Sequence, residues 1–242
     1  KAHFQLIPNE FTGEQSINFD RAYKMIEDKQ HNIWIATDNG VFVFNPDMQV
    51  FNNYKLQRGN NKPTDGATTD ACELKNGNVL VTTWGSGLYC YDNKFNALPL
   101  PQGLQELART YMMWCVHEHS KTGLIWMGMQ FGELAVFDPV KKKLETFREK
   151  LLNESTVRQM TEDAYGNLWF GLQNGAVVKW DIKAANNDIH KGYEVIKPKG
   201  LYYVQKIYTG KDGAIWVGCL NDGLYKYDAL TRQTTLFADY HW

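Results

Sequence analysis

The clearest fold signal in this sequence is the stretch Asp163-Ala-Tyr-Gly166-Asn-Leu-Trp169-Phe-Gly-Leu-Gln-Asn-Gly175-Ala-Val-Val-Lys-Trp180-Asp181. Its first part, Asp-x-x-Gly-Asn, is a turn signal, and an apolar strand centred on Trp169 follows. A second turn ends at Gly175 and leads into a strand that closes with Trp180 and Asp181. Glycine at two bends with apolar runs beside them is typical of a β-hairpin.

Four more imperfect copies of this stretch occur along the chain, so the sequence is a repeat array. Three markers keep the same order in every copy: a central apolar residue, the second glycine and a closing aromatic residue. Successive copies lie 43 to 47 residues apart. The markers are Trp34, Gly40 and Phe44; Leu80, Gly87 and Tyr91; Trp126, Gly132 and Phe137; Trp169, Gly175 and Trp180; Trp216, Gly223 and Tyr227.

Each copy divides into four short strands, and no stretch shows a sustained helical period. The second strand is apolar on both faces, which predicts a strand covered on both sides. One four-stranded sheet cannot bury both of its faces, but copies that stack around an axis can. The sequence therefore predicts an all-β fold, a β-propeller, with the large aromatic residue of the second strand between neighbouring blades. We expect an N-terminal strand and loop at 1–22 and blades at 23–67, 68–110, 111–155, 156–200 and 201–242.

Composition limits the classes of function. The chain has 242 residues, of which 43% are hydrophobic and 22% charged, as in an ordinary globular protein. A net charge of −1 gives no basic face for nucleic acid. No signal peptide and no apolar run of roughly 18 residues is present, so we expect membrane attachment only through flanking segments. The first residue is Lys1, which favours an excised segment or a processed product. The four cysteines are expected to be small core residues and leave the compartment open.

The repeat also resembles a known family. The pattern Asp163-x-x-Gly166-Asn-Leu-Trp169-Phe-Gly171-x-x-x-Gly175, with Ile215-Trp216-Val-Gly218 and Phe137-Asp138-Pro139 in other copies, is similar to the two-component regulator propeller repeat over about residues 22–242. The second copy departs from it at Leu80 and the first at His31. The resemblance implies a periplasmic, non-catalytic sensor segment of a Bacteroidetes hybrid two-component histidine kinase that controls carbohydrate use. It further implies an oligosaccharide or other small ligand and a homodimer formed through the full-length receptor.

The number of copies bears on ring closure. Sensors of this family usually have seven blades, so five copies predict a piece of a longer propeller region. The segment His3-Phe-Gln-Leu-Ile7 resembles the outer strand of a preceding blade, yet the fifth copy already has its own outer strand near Leu236. A closed five-bladed ring is the alternative.

Candidate binding residues lie in loops, because propeller strands are committed to packing. The turns between the second and third strands are expected to share a face with the connections between blades. Aromatic rings beside amides and charged groups suit a saccharide, whose C–H faces stack on rings. The alternative is that Asn, Asp and Ser there only form turns. The predicted ligand-binding residues are Trp84, Arg109, Tyr111, Gln130, Phe131, Arg158, Gln173 and Asn221.

Other chemistry has weaker support in the sequence. His117 and His119 would point to one side of a strand, but no third ligand follows at a fixed spacing, so we expect no metal and no cofactor. The nucleophile elbow, the Walker loop and the dinucleotide glycine pattern are absent, so no enzyme activity is expected for this segment. Two alternatives remain open: a propeller lyase or hydrolase with clustered acid, base and metal ligands, and a protein-interaction platform with a flat loop face.

Overall fold

A computed structural model shows a five-bladed β-propeller. It describes residues 19–45, 50–54, 56–58, 62–63, 67–108, 112–197, 201–220 and 223–238. Five four-stranded antiparallel sheets follow one another along the chain, and within each sheet the strands are in sequence order. The first strands of successive blades pack against one another around the central channel. The predicted fold class is therefore confirmed.

The strands of each blade are short. Blade 1 contains β1 (Ala22–Glu27), β2 (Ile33–Thr37), β3 (Gly40–Asn45) and β4 (Val50–Tyr54), and is followed by a small hairpin of β5 (Gln57–Arg58) and β6 (Lys62–Pro63). Blade 2 contains β7 (Thr68–Glu73), β8 (Val79–Thr83), β9 (Leu88–Tyr91) and β10 (Ala97–Leu98). Blade 3 contains β11 (Met113–Glu118), β12 (Ile125–Met129), β13 (Glu133–Asp138) and β14 (Lys143–Arg148).

Blade 4 contains β15 (Val157–Glu162), β16 (Leu168–Leu172), β17 (Val177–Trp180) and β18 (Tyr193–Ile196). Blade 5 contains β19 (Val204–Thr209), β20 (Ile215–Cys219), β21 (Gly223–Asp228) and β22 (Gln233–Ala238). Helix is confined, within the described residues, to α1 (Ile182–Ala185) and to single 3-10 turns at Gln105–Ala108, Gln130–Gly132 and Lys150–Leu152.

The second strands form the centre of each sheet, as their apolar sequences predict. Every residue of β8, β12 and β16 is buried. Trp34, Trp126 and Trp169 are at most 2% exposed and pack in apolar clusters shared with the next blade. Leu80 fills the equivalent place in blade 2 and is fully buried. The expected position of the large aromatic side chain between blades is therefore confirmed for the three tryptophans, whereas Trp216 is only partly buried and packs against Phe237 of its own blade.

The Asp-x-x-Gly-Asn turn has a second role, which is to hold the tryptophan. Asp163 Oδ1 accepts hydrogen bonds from the backbone N–H of Tyr165 and Asn167, while its Oδ2 accepts one from Trp169 Nε1 at 2.9 Å. Asp28 holds Trp34 in the same way at 2.8 Å. In the second copy the departure from the pattern is concerted, because Leu74 stands in the Asp position and Leu80 in the Trp position.

Each first strand contains a β-bulge near its start. The pairing of first and second strands shifts by one residue at the same repeat position in all five blades. A bulge inserts one residue into one strand of a pair and redirects its side chain. The inserted residues are Tyr23, Thr69, Trp114, Arg158 and Gln205.

The remaining sequence expectations have mixed outcomes. None of the four cysteines, all of which lie in the described residues, forms a disulfide bond; Cys90 and Cys115 are buried, and Cys72 and Cys219 are partly buried. The predicted strand at residues 3–7 lies outside the described residues. The five blades are arranged in a ring, and Lys206 of blade 5 donates a hydrogen bond to the carbonyl of Tyr23 in blade 1 at 3.1 Å. A longer, seven-bladed region stays a prediction.

Candidate functional site at the loop face and channel

The loop face consists of the turns between second and third strands and of the connections that lead into each first strand. One backbone hydrogen bond joins these two loop types in every blade, as the sequence predicts. The N–H groups of Asp38, Trp84, Gln130, Gln173 and Leu220 donate to the carbonyls of Arg21, Ala67, Met112, Thr156 and Tyr203 at 2.9 to 3.2 Å. The two loop types therefore surround the same end of the channel.

Large apolar side chains are exposed around this face. Trp84 is 47% exposed and forms a bridge with Met112, so two blades contribute to one apolar patch. Phe131 is 57% exposed and adopts a left-handed backbone conformation with φ of 59°. Such a conformation is uncommon for a bulky residue and is often found at functional sites. The exposed apolar residues of this face are Trp84, Met112, Phe131, Tyr202 and Leu220.

A buried arginine lies just inside the channel. Arg158 is 9% exposed, and its guanidinium lies 3.6 Å from the ring centroid of Trp114 and 5.5 Å from that of Tyr203. Its Nη2 donates to Gln205 Oε1 at 3.2 Å. Burial lowers the pKa of Arg158, but a guanidinium remains charged in proteins. Three bulge residues of successive blades thus meet around one positive charge.

A second polar layer consists of the residues that follow the bulges. Lys24 forms an ion pair with Asp70 at 2.7 Å, and Asp70 is 1% exposed. Asp70 also accepts a hydrogen bond from the N–H of Val116 at 3.1 Å. Burial lowers the pKa of Lys24, but the charge and hydrogen bond of Asp70, together with the nearby Cys72 and Cys115, outweigh burial, so that the pKa is raised. This pair neutralises itself.

Lys206 occupies the same repeat position in blade 5 but has a different environment. Its Nζ donates to the carbonyl of Tyr23, and among the described residues no carboxylate lies within ion-pair distance. Burial lowers the pKa of Lys206 to about 8, although the charge of Asp70 acts in the opposite direction. The channel therefore holds an ammonium group that has no carboxylate counter-ion within the described part of the chain.

The structure places the predicted site residues in different environments. Trp84, Phe131 and Gln173 are exposed on the loop face, whereas Arg158 is buried within it. Gln130 is partly buried, and its Oε1 atom has no hydrogen-bond partner in the described structure. Arg109, Tyr111 and Asn221 lie outside the described residues.

Sequence reasoning missed three residues of the channel. Lys24, Trp114 and Lys206 lie in first strands, which were assigned to packing alone. Alignment of the five first strands gives a signal for the two lysines, because Lys24, Asp70, Cys115, Gln159 and Lys206 share one position. Charged residues at a position that faces the centre of a ring indicate a polar channel.

The two histidines considered as a metal pair have structural partners instead. His119 is fully buried and bonds Thr122 Oγ1 and the carbonyl of Gly166, both at 2.8 Å. His117 Nε2 lies 3.0 Å from Glu162 Oε2. Across the described parts of the chain, no group of three or more His, Cys, Asp or Glu side chains is placed to hold a metal ion.

A cleft of about 330 Å³ lies away from the loop face, between blade 3 and the connection after β17. Its charged side chains are paired with one another. Lys141 contacts Asp138 at 3.1 Å, and Glu145 contacts both Lys143 at 3.5 Å and His190 at 2.7 Å. A hydrogen bond that His190 donates to the carboxylate of Glu145 raises the pKa of His190. These charges already satisfy each other, so the cleft offers less to a ligand than the channel does.

Comparison with known proteins gives the same repeat. Residues 16–39 and 151–174 match the family model described as "Two component regulator propeller". The matched segments correspond to the first two strands of blades 1 and 4. No curated protein matches the chain. Among the described residues, no helix is long and apolar enough to cross a membrane.

Solved structures with the same fold include extracellular domains of two putative hybrid two component systems from B. thetaiotaomicron. For BT3049 the TM-score is 0.73 at 18% identity, over 97% of this chain and 31% of that one. For BT4673 it is 0.68 at 18% identity, over 90% of this chain and 30% of that one. Chaetomium thermophilum Raptor is also similar, with a TM-score of 0.65 at 14% identity over 92% of this chain and 21% of that one.

At such identities these likenesses show the fold alone. The chain spans less than a third of the length of either extracellular domain. Two of its five blades carry the two-component regulator propeller repeat, on a fold that extracellular domains of hybrid two-component systems also have.

Proposed function

We propose that this chain is a non-catalytic sensing segment of a hybrid two-component system and that it binds a saccharide at the loop face. The segment lies on the periplasmic side, and the kinase domains that give the output belong to other parts of the receptor. Control of carbohydrate use is the response that fits this ligand class. The family match at the repeats and the extracellular domains with the same fold support the sensor part of the proposal.

One observation carries the binding part, namely the exposed aromatic residues beside a polar channel. Trp84, Phe131 and Tyr202 are 47%, 57% and 73% exposed on one face. Single exposed apolar residues are ordinary, but several on one face around a concave polar centre are typical of a binding site. Sugar rings combine apolar C–H faces with hydroxyl groups, and this arrangement offers partners for both.

Signalling requires that the ligand favours one arrangement of the receptor. A ligand shifts an equilibrium only by its difference in affinity for the two states. The loop face takes residues from several blades, so a ligand that contacts two blades favours one relative placement of them. Through the full-length receptor, a homodimer would convert that placement into a change of kinase geometry.

The test is direct binding. We would screen the chain, and the full extracellular region that contains it, on a glycan array and confirm hits by isothermal titration calorimetry. Trp84→Ala and Phe131→Ala are expected to weaken binding by about tenfold or more, since each removes a stacking surface. Tyr165→Ala is the matched control, because Tyr165 is 68% exposed in a turn between first and second strands, at the other end of the blade.

Three results would contradict the proposal. Absence of any glycan ligand for the full extracellular region would refute saccharide sensing. Turnover of a glycan that a chelator abolishes would favour a lyase or hydrolase. A protein partner that is retained by the wild type and lost in both loop-face variants, without any glycan hit, would favour an interaction platform.

A further inference from the structure

Among the described residues of the central channel, cationic side chains outnumber carboxylates. Lys24, Arg158 and Lys206 are cationic, whereas Asp70 is the carboxylate that acts on two of them. The whole chain has a net charge of −1, so this excess is local to the channel. It also lies next to the aromatic residues of the loop face, because Arg158 follows directly after Thr156 and Val157 at the start of β15.

The carboxylate of Asp70 already has partners within the protein. Asp70 pairs with Lys24 at 2.7 Å and accepts the backbone N–H groups of Ala71 at 2.8 Å and Val116 at 3.1 Å. These contacts leave it little capacity to neutralise a second lysine. Lys24 and Lys206 therefore occupy the same position in the repeat, but Lys24 is paired with a carboxylate and Lys206 is hydrogen-bonded to a backbone carbonyl.

Two cations remain without a carboxylate partner among the described residues. Arg158 is 9% exposed and has one amide oxygen and two aromatic rings as neighbours. Lys206 has one backbone carbonyl. Burying a charge without an opposite charge is costly, and proteins usually pair such groups. A structure that keeps two of them in one channel is poised to take an anion.

A neutral donor accompanies the two cations. The indole Nε1 of Trp114 is buried and has no hydrogen-bond partner within the described residues, and Arg158 stacks on the same ring. Buried polar groups are nearly always satisfied in folded proteins, so an unpaired one marks a place where a partner is missing. An acidic saccharide can use all three donors, because its carboxylate pairs with an ammonium while its hydroxyl oxygens accept from a guanidinium and an indole N–H.

We propose that the channel binds the carboxylate of an acidic saccharide, with Lys206 as its charge partner and with Arg158 and Trp114, which lie in the bulge layer nearer the loop face, as donors to the sugar oxygens. The sugar ring would then lie toward the aromatic residues of the loop face. The nature of the neutral part of this ligand rests on the proposed function, whereas the anion site rests on the channel alone. The site selects uronic acids over neutral sugars of the same shape.

The first experiment compares matched ligands by isothermal titration calorimetry: glucuronate against glucose, galacturonate against galactose, and sodium sulfate alone. Binding of at least one uronate about tenfold or more tighter than its neutral sugar supports the proposal, as expected for charge-assisted hydrogen bonds. Equal binding of acid and neutral sugar, or no binding of either acid, overturns it. Binding of sulfate as tight as that of the uronates overturns the saccharide part and leaves a simple anion site.

Variants test the assigned residues. Lys206→Gln is expected to weaken uronate binding by about tenfold or more while leaving any affinity for the neutral sugar unchanged. The control is Lys226→Gln, which removes a lysine that pairs with Asp212 in the same blade but outside the channel. If Lys206→Gln binds the uronate as the wild type does, the assignment of Lys206 is wrong. A melting curve of each variant establishes that it is folded.

A second readout does not depend on any variant. The charged groups that act on Lys206 are Asp70 and Lys24, with the Cys115 thiol as a neutral neighbour. A bound carboxylate favours the ammonium form of Lys206 and raises its pKa from about 8. Near pH 8 uronate binding should therefore take up protons, which appears as a binding enthalpy that changes with the ionisation heat of the buffer. No proton uptake would exclude contact between the carboxylate and Lys206.

Discussion

The seam between blades 4 and 5 and the seam between blades 5 and 1 differ, although the same repeat positions form both. At the first seam, Trp169 is 2% exposed and Ile207 of the next blade is 3% exposed. At the second seam, the equivalent residues are Trp216, which is only partly buried, and Met25, which is 66% exposed. The first seam is tightly packed and the second is open over much of its length.

Two equivalent glycines show the same difference in packing between the two seams. A Cβ atom on Gly171 would lie 2.5 Å from Val204 Cγ1, because the next blade packs directly on this position. Among the described residues, a Cβ atom on the equivalent Gly218 would meet only Lys206 of its own blade, at 3.7 Å or more. Both positions hold glycine, so the difference in packing comes from the neighbouring blade and not from the residue itself.

A hydrogen bond between blades also differs between the packed seams and the seam between blades 5 and 1. In three blades, a glutamate at the end of the first strand accepts a hydrogen bond from a backbone N–H in the turn of the preceding blade. The acceptors are Glu73, Glu118 and Glu162, and their donors are the N–H groups of Lys29 at 3.2 Å, Lys75 at 2.6 Å and Ser120 at 2.8 Å, respectively. Glu27 of blade 1 instead contacts His31 of its own blade at 2.5 Å. Four substitution pairs can test whether the two kinds of seam differ in energy as they do in geometry.

The largest difference is expected for the tryptophans. Trp169→Ala should lower the free energy of unfolding by about 3–5 kcal/mol, since it leaves a cavity in a packed seam. Trp216→Ala should cost less than half as much, because Trp216 packs mainly against Phe237 of its own blade. Urea denaturation of both variants measures the two values. Equal losses would mean that the open seam is as well packed in solution as the closed one.

A matched pair of methionines comes next. Met160 is 5% exposed and Met25 is 66% exposed at the same repeat position. Met160→Ala should lower the free energy of unfolding by about 2–5 kcal/mol, and Met25→Ala should change it by less than about 0.5 kcal/mol. Thermal melts followed by circular dichroism distinguish these outcomes. A large loss for Met25→Ala would show that another part of the chain covers blade 1.

The glycine pair should give a smaller effect. Gly171→Val forces a side chain against Val204 and should destabilise the protein by about 1–3 kcal/mol through overpacking. Gly218→Val should be tolerated, and its β-branched side chain suits a strand. The midpoint of urea unfolding provides the comparison, and equal sensitivity at the two sites would contradict an open seam.

The smallest effect at neutral pH is expected for the carboxylates. Burial of Glu162 acts to raise its pKa, but hydrogen bonds from His117 and Ser120 outweigh burial and lower the pKa to about 2. A lowered carboxylate pKa contributes stability above the unfolded value of about 4.5, and this contribution is lost as the pH falls from there toward 2.

Glu162→Gln should therefore lower stability at pH 7 by about 1 kcal/mol or more, as expected for hydrogen bonds to a charged group, and should flatten the loss between pH 4.5 and 2. Glu27→Gln is the control at the open seam, because the Glu27 side chain is 60% exposed. Unfolding free energies of the three proteins between pH 2 and 7 provide the test. An acid profile of Glu162→Gln that matches the wild type would rule out this role of the Glu162 carboxylate.

Much of the fold could be predicted from the sequence because packing repeats with the repeat. The spacing of Trp34, Leu80, Trp126, Trp169 and Trp216 defined five sheets, and the two-sided apolar strands defined stacking. The open seam could not be predicted, since Trp216 and Trp169 have similar local sequences and differ only in what lies beside them. Local sequence determines the blade, whereas the ring determines how deeply each blade is buried.

The site was harder to predict than the fold. Loop residues such as Trp84 and Phe131 were proposed from the sequence because an aromatic residue in a turn is unusual; they are exposed on the loop face, and their contact with a ligand stays a prediction. Lys206 was missed because what sets it apart is that no carboxylate of the described residues lies within ion-pair distance, a property of three-dimensional charge balance that no motif records. Ligand binding by Arg109, Tyr111 and Asn221, which lie outside the described residues, stays a prediction.

The bulge near the start of every first strand has an evolutionary consequence. Its five positions hold Tyr23, Thr69, Trp114, Arg158 and Gln205, all different in chemistry, on sheets that are otherwise alike. A residue outside the regular pairing of the ladder can change without disturbing the strands that hold the ring together. The ligand specificity of the channel can therefore change from one relative to another through the bulge residues, while the strands that form the ring stay the same.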